Sequence, residues 1–164
     1  MSHFPEIFNL ADYHLDKHIR DGTGERFAIK YKDISYTYKD IFYKVNKLGN
    51  AFISLGVEKE QRVGIILPDL PEFIISWLAV VKIGAVVNTL NPLYPAEDYP
   101  PYFKHLRPKV LILHDLVVDK FSNIIPQFET IRNVIVVGEH KEDYLGFDEL
   151  IKDMSPELAS AQTH

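Results

Sequence analysis

The sequence has 164 residues, 46% of them hydrophobic and 25% charged, which is one domain's length with enough apolar surface for a packed core and excludes a disordered chain. Eighteen basic against 23 acidic residues leave a net charge of −5 with no basic stripe, so nucleic acid is a poor partner, and the lack of cysteine excludes a disulfide framework or a thiolate metal site. The longest apolar stretches, residues 73–81 and 84–87, are too short to span a bilayer, and the amino terminus carries scattered acids rather than a signal-type run, so a soluble cytoplasmic protein without a transmembrane segment is expected.

In chain order, Phe27, Ile29 and Tyr31 alternate with less apolar residues, Lys32-Asp33 turns the chain, and Ile34, Tyr36 and Tyr38 alternate on the return. This predicts a β-hairpin. Thr37 stands three residues before Asp40, a capping-box spacing, and Ile41, Val45, Leu48, Phe52 and Leu55 follow at helical intervals up to a left-handed cap at Gly56. Residues 63–67 read as a short buried strand. Asp69 is suited to cap the next helix, with Pro71 and Glu72 in its first turn. That helix is apolar almost all round from Phe73 to Ile83, which predicts burial on several sides, Trp77 included.

Gly84 stops it, and strands are predicted over 86–90, 109–113 and 133–137. Helices are predicted around 97–106, bent or shortened by Pro100-Pro101, over 117–128, cut near Pro126, and over 146–154. Residues 155–164 are small and polar, a linker or tail. Apolar strands alternating with helices predict an α/β fold: a mostly parallel sheet with helices on both faces, preceded by an N-terminal helix and the hairpin.

Ligands of such sheets gather beyond the carboxyl ends of the strands. Those ends are Pro68-Asp69, Asn91-Pro92, His114-Asp115 and Gly138-Glu139, which makes Asp69, Asn91 and the following Leu93 the strand-end candidates for binding. Asn91 either faces a ligand or turns the chain by bonding its own backbone. His14 and His18 share a helix face, but Leu15 stands where a metalloprotease places its acid and no third ligand is evident, so no metal is expected. Gly22 and Gly24 lie in "DGTGER", which lacks the third glycine and the Lys-Ser/Thr pair of phosphate loops. His105 and His114 have no recognisable nucleophile partner. No reaction follows from these residues alone.

Three stretches, in order, resemble the start of the AMP-forming acyl-CoA synthetases of the adenylate-forming ligase superfamily. "NLADYHLDKHIRDGTGERFAI" is similar to the opening of fatty acyl- and benzoate-CoA ligases. "SYTYKDIFYKVNKLGNAF" carries the family's Thr-Tyr-x-acidic helix start. "GVEKEQRVGIILPDLPEFIISWLAVVKIGAVVNTLNPLYPAEDY" resembles the next block, with Gly-Ala-Val and Asn-Pro its most recognisable parts. The resemblance runs from about Asn9 to Asp153.

It implies an enzyme that converts a carboxylate and ATP to an acyl-adenylate, with Mg2+, and passes the acyl group to coenzyme A. The implied substrate is a medium- or long-chain fatty acid, with an aromatic acid, another adenylate-forming enzyme, or a non-enzymatic binding or dimerisation module as alternatives. It also implies that residues 1–154 are the N-terminal part of the AMP-binding domain. Residues 155–164 would then lead to a phosphate loop beginning after residue 164. No family catalytic residue maps onto the chain, so alone it is expected to bind no cofactor tightly and to make no adenylate. Some family members place an Arg after the Asn-Pro corner, able to meet a coenzyme A phosphate; here Leu93 stands there. Association into a homodimer is also expected, because some relatives are dimers and a cut sheet leaves an open edge.

Overall fold

The computed structural model describes residues 5–139 and 142–163. A π-helical turn, Asp12–Asp16, runs into α1 (Lys17–Arg20). The hairpin follows as β1 (Phe27–Tyr31) and β2 (Ile34–Thr37), antiparallel and turned at Lys32, whose φ is 53°. The predicted capping box starts α2 (Tyr38–Ser54). Asp40 N–H donates to Thr37 Oγ1 at 3.1 Å, and Thr37 N–H donates to Asp40 Oδ2 at 2.8 Å. Ile41, Val45, Leu48 and Phe52 are buried, as their spacing predicts, while Leu55 is half-buried.

Next come β3 (Arg62–Ile66), α3 (Pro71–Lys82), β4 (Val86–Thr89), α4 (Tyr99–Leu106), β5 (Val110–His114), α5 (Asp115–Val118), β6 (Asn133–Val137), β7 (Leu145–Gly146) and α6 (Phe147–Lys152). The sheet order is β4-β3-β5-β6-β7, and every neighbouring pair is parallel. Alternation along the strands divides the core in two. Val63, Ile65, Val110, Ile112, Ile135 and Val137 face the core shared with α2, α3 and α6. Ile66, Leu111, Leu113, Val134 and Val136 face Tyr99, Phe103 and Phe121 on the other side. The fold is therefore α/β with helices on both faces, after an N-terminal helix and hairpin.

Three expectations change in detail. Pro100 and Pro101 do not bend α4, because they fall in its first turn, where backbone N–H groups have no intrahelical acceptor anyway. The predicted helix over 117–128 is instead the short α5 followed by 3-10 turns at Asp119–Phe121 and Ile125–Gln127. Pro126 removes a donor there, and Ser122 Oγ bonds Asp119 O at 2.9 Å, a local competitor to the helical ladder. Trp77 is half-buried rather than buried. Its helix packs one side on the sheet and leaves Ile74, 43% exposed, on the other.

Residues 155–163 form no helix or strand but run back along α2 and α3. Asn46 Nδ2 donates to Pro156 O at 2.7 Å, Asn50 Nδ2 to Ser155 O at 2.9 Å, and Ala161 N–H to Lys82 O at 2.8 Å. Gly49 permits this approach, since a Cβ there would collide with the Leu158 side chain. Beneath the segment, Lys82 Nζ lies 2.6 and 2.7 Å from the two Asp16 carboxylate oxygens and 4.7 Å over the Phe42 ring, while Ser160 Oγ donates to Asp16 at 2.9 Å.

Candidate functional site

The carboxyl ends of β3 and β4 lie side by side, and Leu90 N–H still donates to Ile65 O at 3.0 Å just past β4. Beyond them opens a cleft of about 490 Å³ whose walls include Leu67, Phe73, Leu90, Pro92 and Leu93. The three strand-end candidates Asp69, Asn91 and Leu93 all line it, so the fold brings together residues 24 positions apart. The other two strand ends are not part of this cleft. His114 Nδ1 accepts from Leu116 N–H at 3.2 Å and starts α5, and Asp115 Oδ2 accepts from Glu139 N–H at 2.6 Å, tying β5 to β6.

Asp69 does not cap α3. The N-cap is Leu70, with no side-chain hydrogen bond, because Leu70 precedes Pro71 and is held extended at φ −142° and ψ 164°, so the helix starts only at the proline. The Asp69 carboxylate is exposed at the cleft rim and makes no hydrogen bond or ion pair with a described residue.

Asn91 turns the chain. Its Oδ1 accepts from Leu93 N–H at 2.9 Å, and its carbonyl accepts from the Tyr99 hydroxyl at 2.7 Å. Lys120 Nζ donates to Pro92 O at 2.8 Å and Tyr94 O at 3.1 Å, bracing the same corner from the next connection. Burial, with Tyr94 and Asp98 nearby, pushes the Tyr99 hydroxyl up to about 12, so it stays a neutral donor at physiological pH. Leu93 is 84% exposed. Tyr99 and Lys120 escape sequence reasoning: neither belongs to a motif, and Lys120 reaches the corner from 26 residues away or more.

This arrangement can hold carbon skeleton against rigid apolar walls. A polyphosphate does not fit it: Asp69 stands at the rim uncompensated, Glu72 follows in the first turn of α3, and the Lys120 ammonium is committed to two carbonyls. Among the described residues no group of three or more His, Cys, Asp or Glu is placed to hold a metal ion, and no helix is long and apolar enough to cross a membrane. His18, one of the paired histidines, instead stacks on Tyr38 at 3.6 Å between ring centroids, with Nδ1 2.9 Å from Thr23 Oγ1.

Comparison with known proteins extends this picture. A family model described as "AMP-binding enzyme" matches residues 16–161. The human mitochondrial acyl-CoA synthetase short-chain family member 3 is 24% identical over 143 residues, covering 84% of this chain and 21% of that protein. A medium/long-chain-fatty-acid–CoA/3-oxocholest-4-en-26-oate–CoA ligase of Mycobacterium tuberculosis is 28% identical over 137 residues, covering 83% of this chain and 25% of that one. Among solved structures, an anthranilate CoA ligase in complex with anthranoyl-AMP superposes with a TM-score of 0.93 at 27% identity, covering 98% of this chain and 31% of that one. A benzoate CoA ligase from Burkholderia xenovorans, at 22% identity and a TM-score of 0.83, shares the fold over 96% of this chain and 31% of its own. The chain thus spans 21% to 31% of the length of these relatives.

Proposed function

The chain belongs to the family of AMP-binding enzymes, and on that premise we propose that it supplies the N-terminal part of an ATP-dependent acid–thiol ligase, which activates a carboxylic acid as its adenylate and transfers the acyl group to coenzyme A. The observation that carries this reading is the extent of the likeness: the family match runs over residues 16–161, and a CoA ligase chain superposes on 98% of the residues. In this role the strand-end cleft contributes apolar wall to the acid-binding region, and the Asn91-Pro92 corner, clamped by Tyr99 and Lys120, keeps that wall rigid. Asp69, Asn91 and Leu93 shape the cleft rather than react. The strand-end cleft itself offers the phosphates of ATP and coenzyme A no lining cation. The lack of cysteine suits work in a reducing compartment such as the cytoplasm.

The acid is proposed to be a medium- or long-chain fatty acid, supported by the apolar cleft walls and by the 28% identical ligase whose name states that class. An aromatic acid is the second reading, favoured by the TM-score of 0.93 against the anthranilate ligase. The test is pyrophosphate release by a protein that carries this chain within a full relatives-length sequence, assayed with fatty and with aromatic acids. Release that depends on fatty acids supports the first reading, and preference for aromatic acids the second. No release with any acid overturns both.

A further inference from the structure

The opposite end of the sheet carries a different chemistry. Arg62 opens β3, and Lys109 and Arg132 stand directly before β5 and β6. The backbone ladder reaches all three: Lys109 N–H donates to Arg62 O at 2.8 Å, and Arg132 N–H to Lys109 O at 2.8 Å. The register places Val63 opposite Val110 and Val110 opposite Asn133, so the residue before each forms a row across three neighbouring strands, roughly 4.8 Å from one to the next. By alternation the row shares its face with Leu111 and Val134, the face that packs on α4 residues Tyr99 and Phe103. Arg107, which ends α4 in a left-handed conformation with φ 48°, joins it. Together with Glu60 and Thr130 these four cations line one cleft of about 350 Å³.

Three cations in adjacent positions on a sheet repel one another. In a chain of net charge −5, nearby acids would be the ordinary remedy. Here the lining supplies one carboxylate, Glu60, against four cations. Arg62, Arg107 and Arg132 make no side-chain hydrogen bond or ion pair with a described residue, and Lys109 Nζ is held on Gly56 O at 2.5 Å. Guanidinium forks present paired N–H donors that match tetrahedral phosphate oxygens, and three uncommitted forks on a concave surface suit an anion of several charges better than a single carboxylate. We propose that this cleft is a binding site for a small, soluble polyphosphate or phosphate ester, distinct from the strand-end cleft at the other end of the strands.

The probe is inorganic pyrophosphate, titrated calorimetrically into the 164-residue chain at low ionic strength. One saturable site is expected, weakening as salt is added. Arg62→Gln and Arg132→Gln, at exposed positions, should each weaken it about tenfold. Arg107→Gly removes a charge at a backbone conformation glycine adopts without strain, so its loss of binding comes with an unchanged or raised thermal midpoint. Lys30→Gln on the distant hairpin should change affinity by less than about twofold. The proposal is overturned by the absence of saturable binding, by binding that survives Arg62→Gln with Arg132→Gln, or by an equal loss in Lys30→Gln, which would mean that binding follows net charge alone.

Discussion

At the scale of single residues, the least legible feature is Lys82. In the sequence it is only the basic last residue of an apolar helix, and nothing marks Asp16, 66 positions earlier, as its partner. In the fold Lys82 is fully buried, and burial pushes its ammonium downward while Asp16 holds it up. Removing one member of a buried pair leaves the other charge without compensation, which costs about 3–5 kcal/mol. Asp16→Asn is expected to fall in that range, since it strands an ammonium with no exposure. Lys82→Met should cost less, because the Asp16 side chain keeps 13% exposure and its bond from Ser160. Urea unfolding of the two variants and of Lys82→Met with Asp16→Leu checks this: the double variant should recover most of the Asp16→Asn loss. A double variant no better than Asp16→Asn would mean the pair itself, not the stranded charge, carries the stability. The same distance hides the four cations of the strand-start cleft, which are up to 70 positions apart and lie in no motif.

At the scale of elements, the sequence is readable where one local rule acts alone. Strands β3, β5 and β6 are buried on both faces, so their apolar runs stand out whatever lies beside them. The two-residue β7 has no run to read, and only its pairing with β6, Leu145 opposite Ile135 and Gly146 opposite Val136, makes it a strand. Asp69 does not cap because Leu70, the residue before Pro71, is held extended, which moves the helix start to the proline and the N-cap to Leu70. Thr37 and Asp40 had no competitor. Bonds from the Thr37 backbone and hydroxyl hold the Asp40 carboxyl below its ordinary value. A lowered folded value means that the unfolded chain binds the proton first, so stability falls as pH falls. The contribution is fully present above the ordinary aspartate range and is lost as pH drops through the lower folded value. Thr37→Ala should cost about 1 kcal/mol at neutral pH. Asp40→Asn should destabilise at neutral pH and converge on the parent in acid, as followed by thermal melts across pH. A gap between parent and Asp40→Asn that stays constant down to the lowest pH would show that the carboxylate charge plays no part.

At the scale of the whole molecule, the parallel architecture and the strand-end location of the first cleft were both legible, because each follows from alternation and topology rather than from any one contact. The outer surfaces were not, since coverage depends on what packs there. β4 is one edge of the sheet, and its unpaired side presents backbone donors and acceptors together with Val86, 41% exposed. On α3, Ile74 is 43% exposed, and Phe73, Trp77 and Leu78 are only half-buried. An open strand edge beside uncovered apolar side chains is a template for association. In the 164-residue chain we expect a second copy to cover this side. Light scattering should then give a mass near twice 18.9 kDa at high concentration, falling towards 18.9 kDa on dilution. Glutamate at both positions, Ile74→Glu with Val86→Glu, adds like charges to the contact at sites where a carboxylate can reach water, so it should yield monomer with little change in the thermal midpoint of the monomer. Trp77 reports the same event, since a half-buried indole covered by a partner shifts its emission to the blue as concentration rises. A mass of 18.9 kDa at every concentration, with emission unchanged, would rule out pairing through this face.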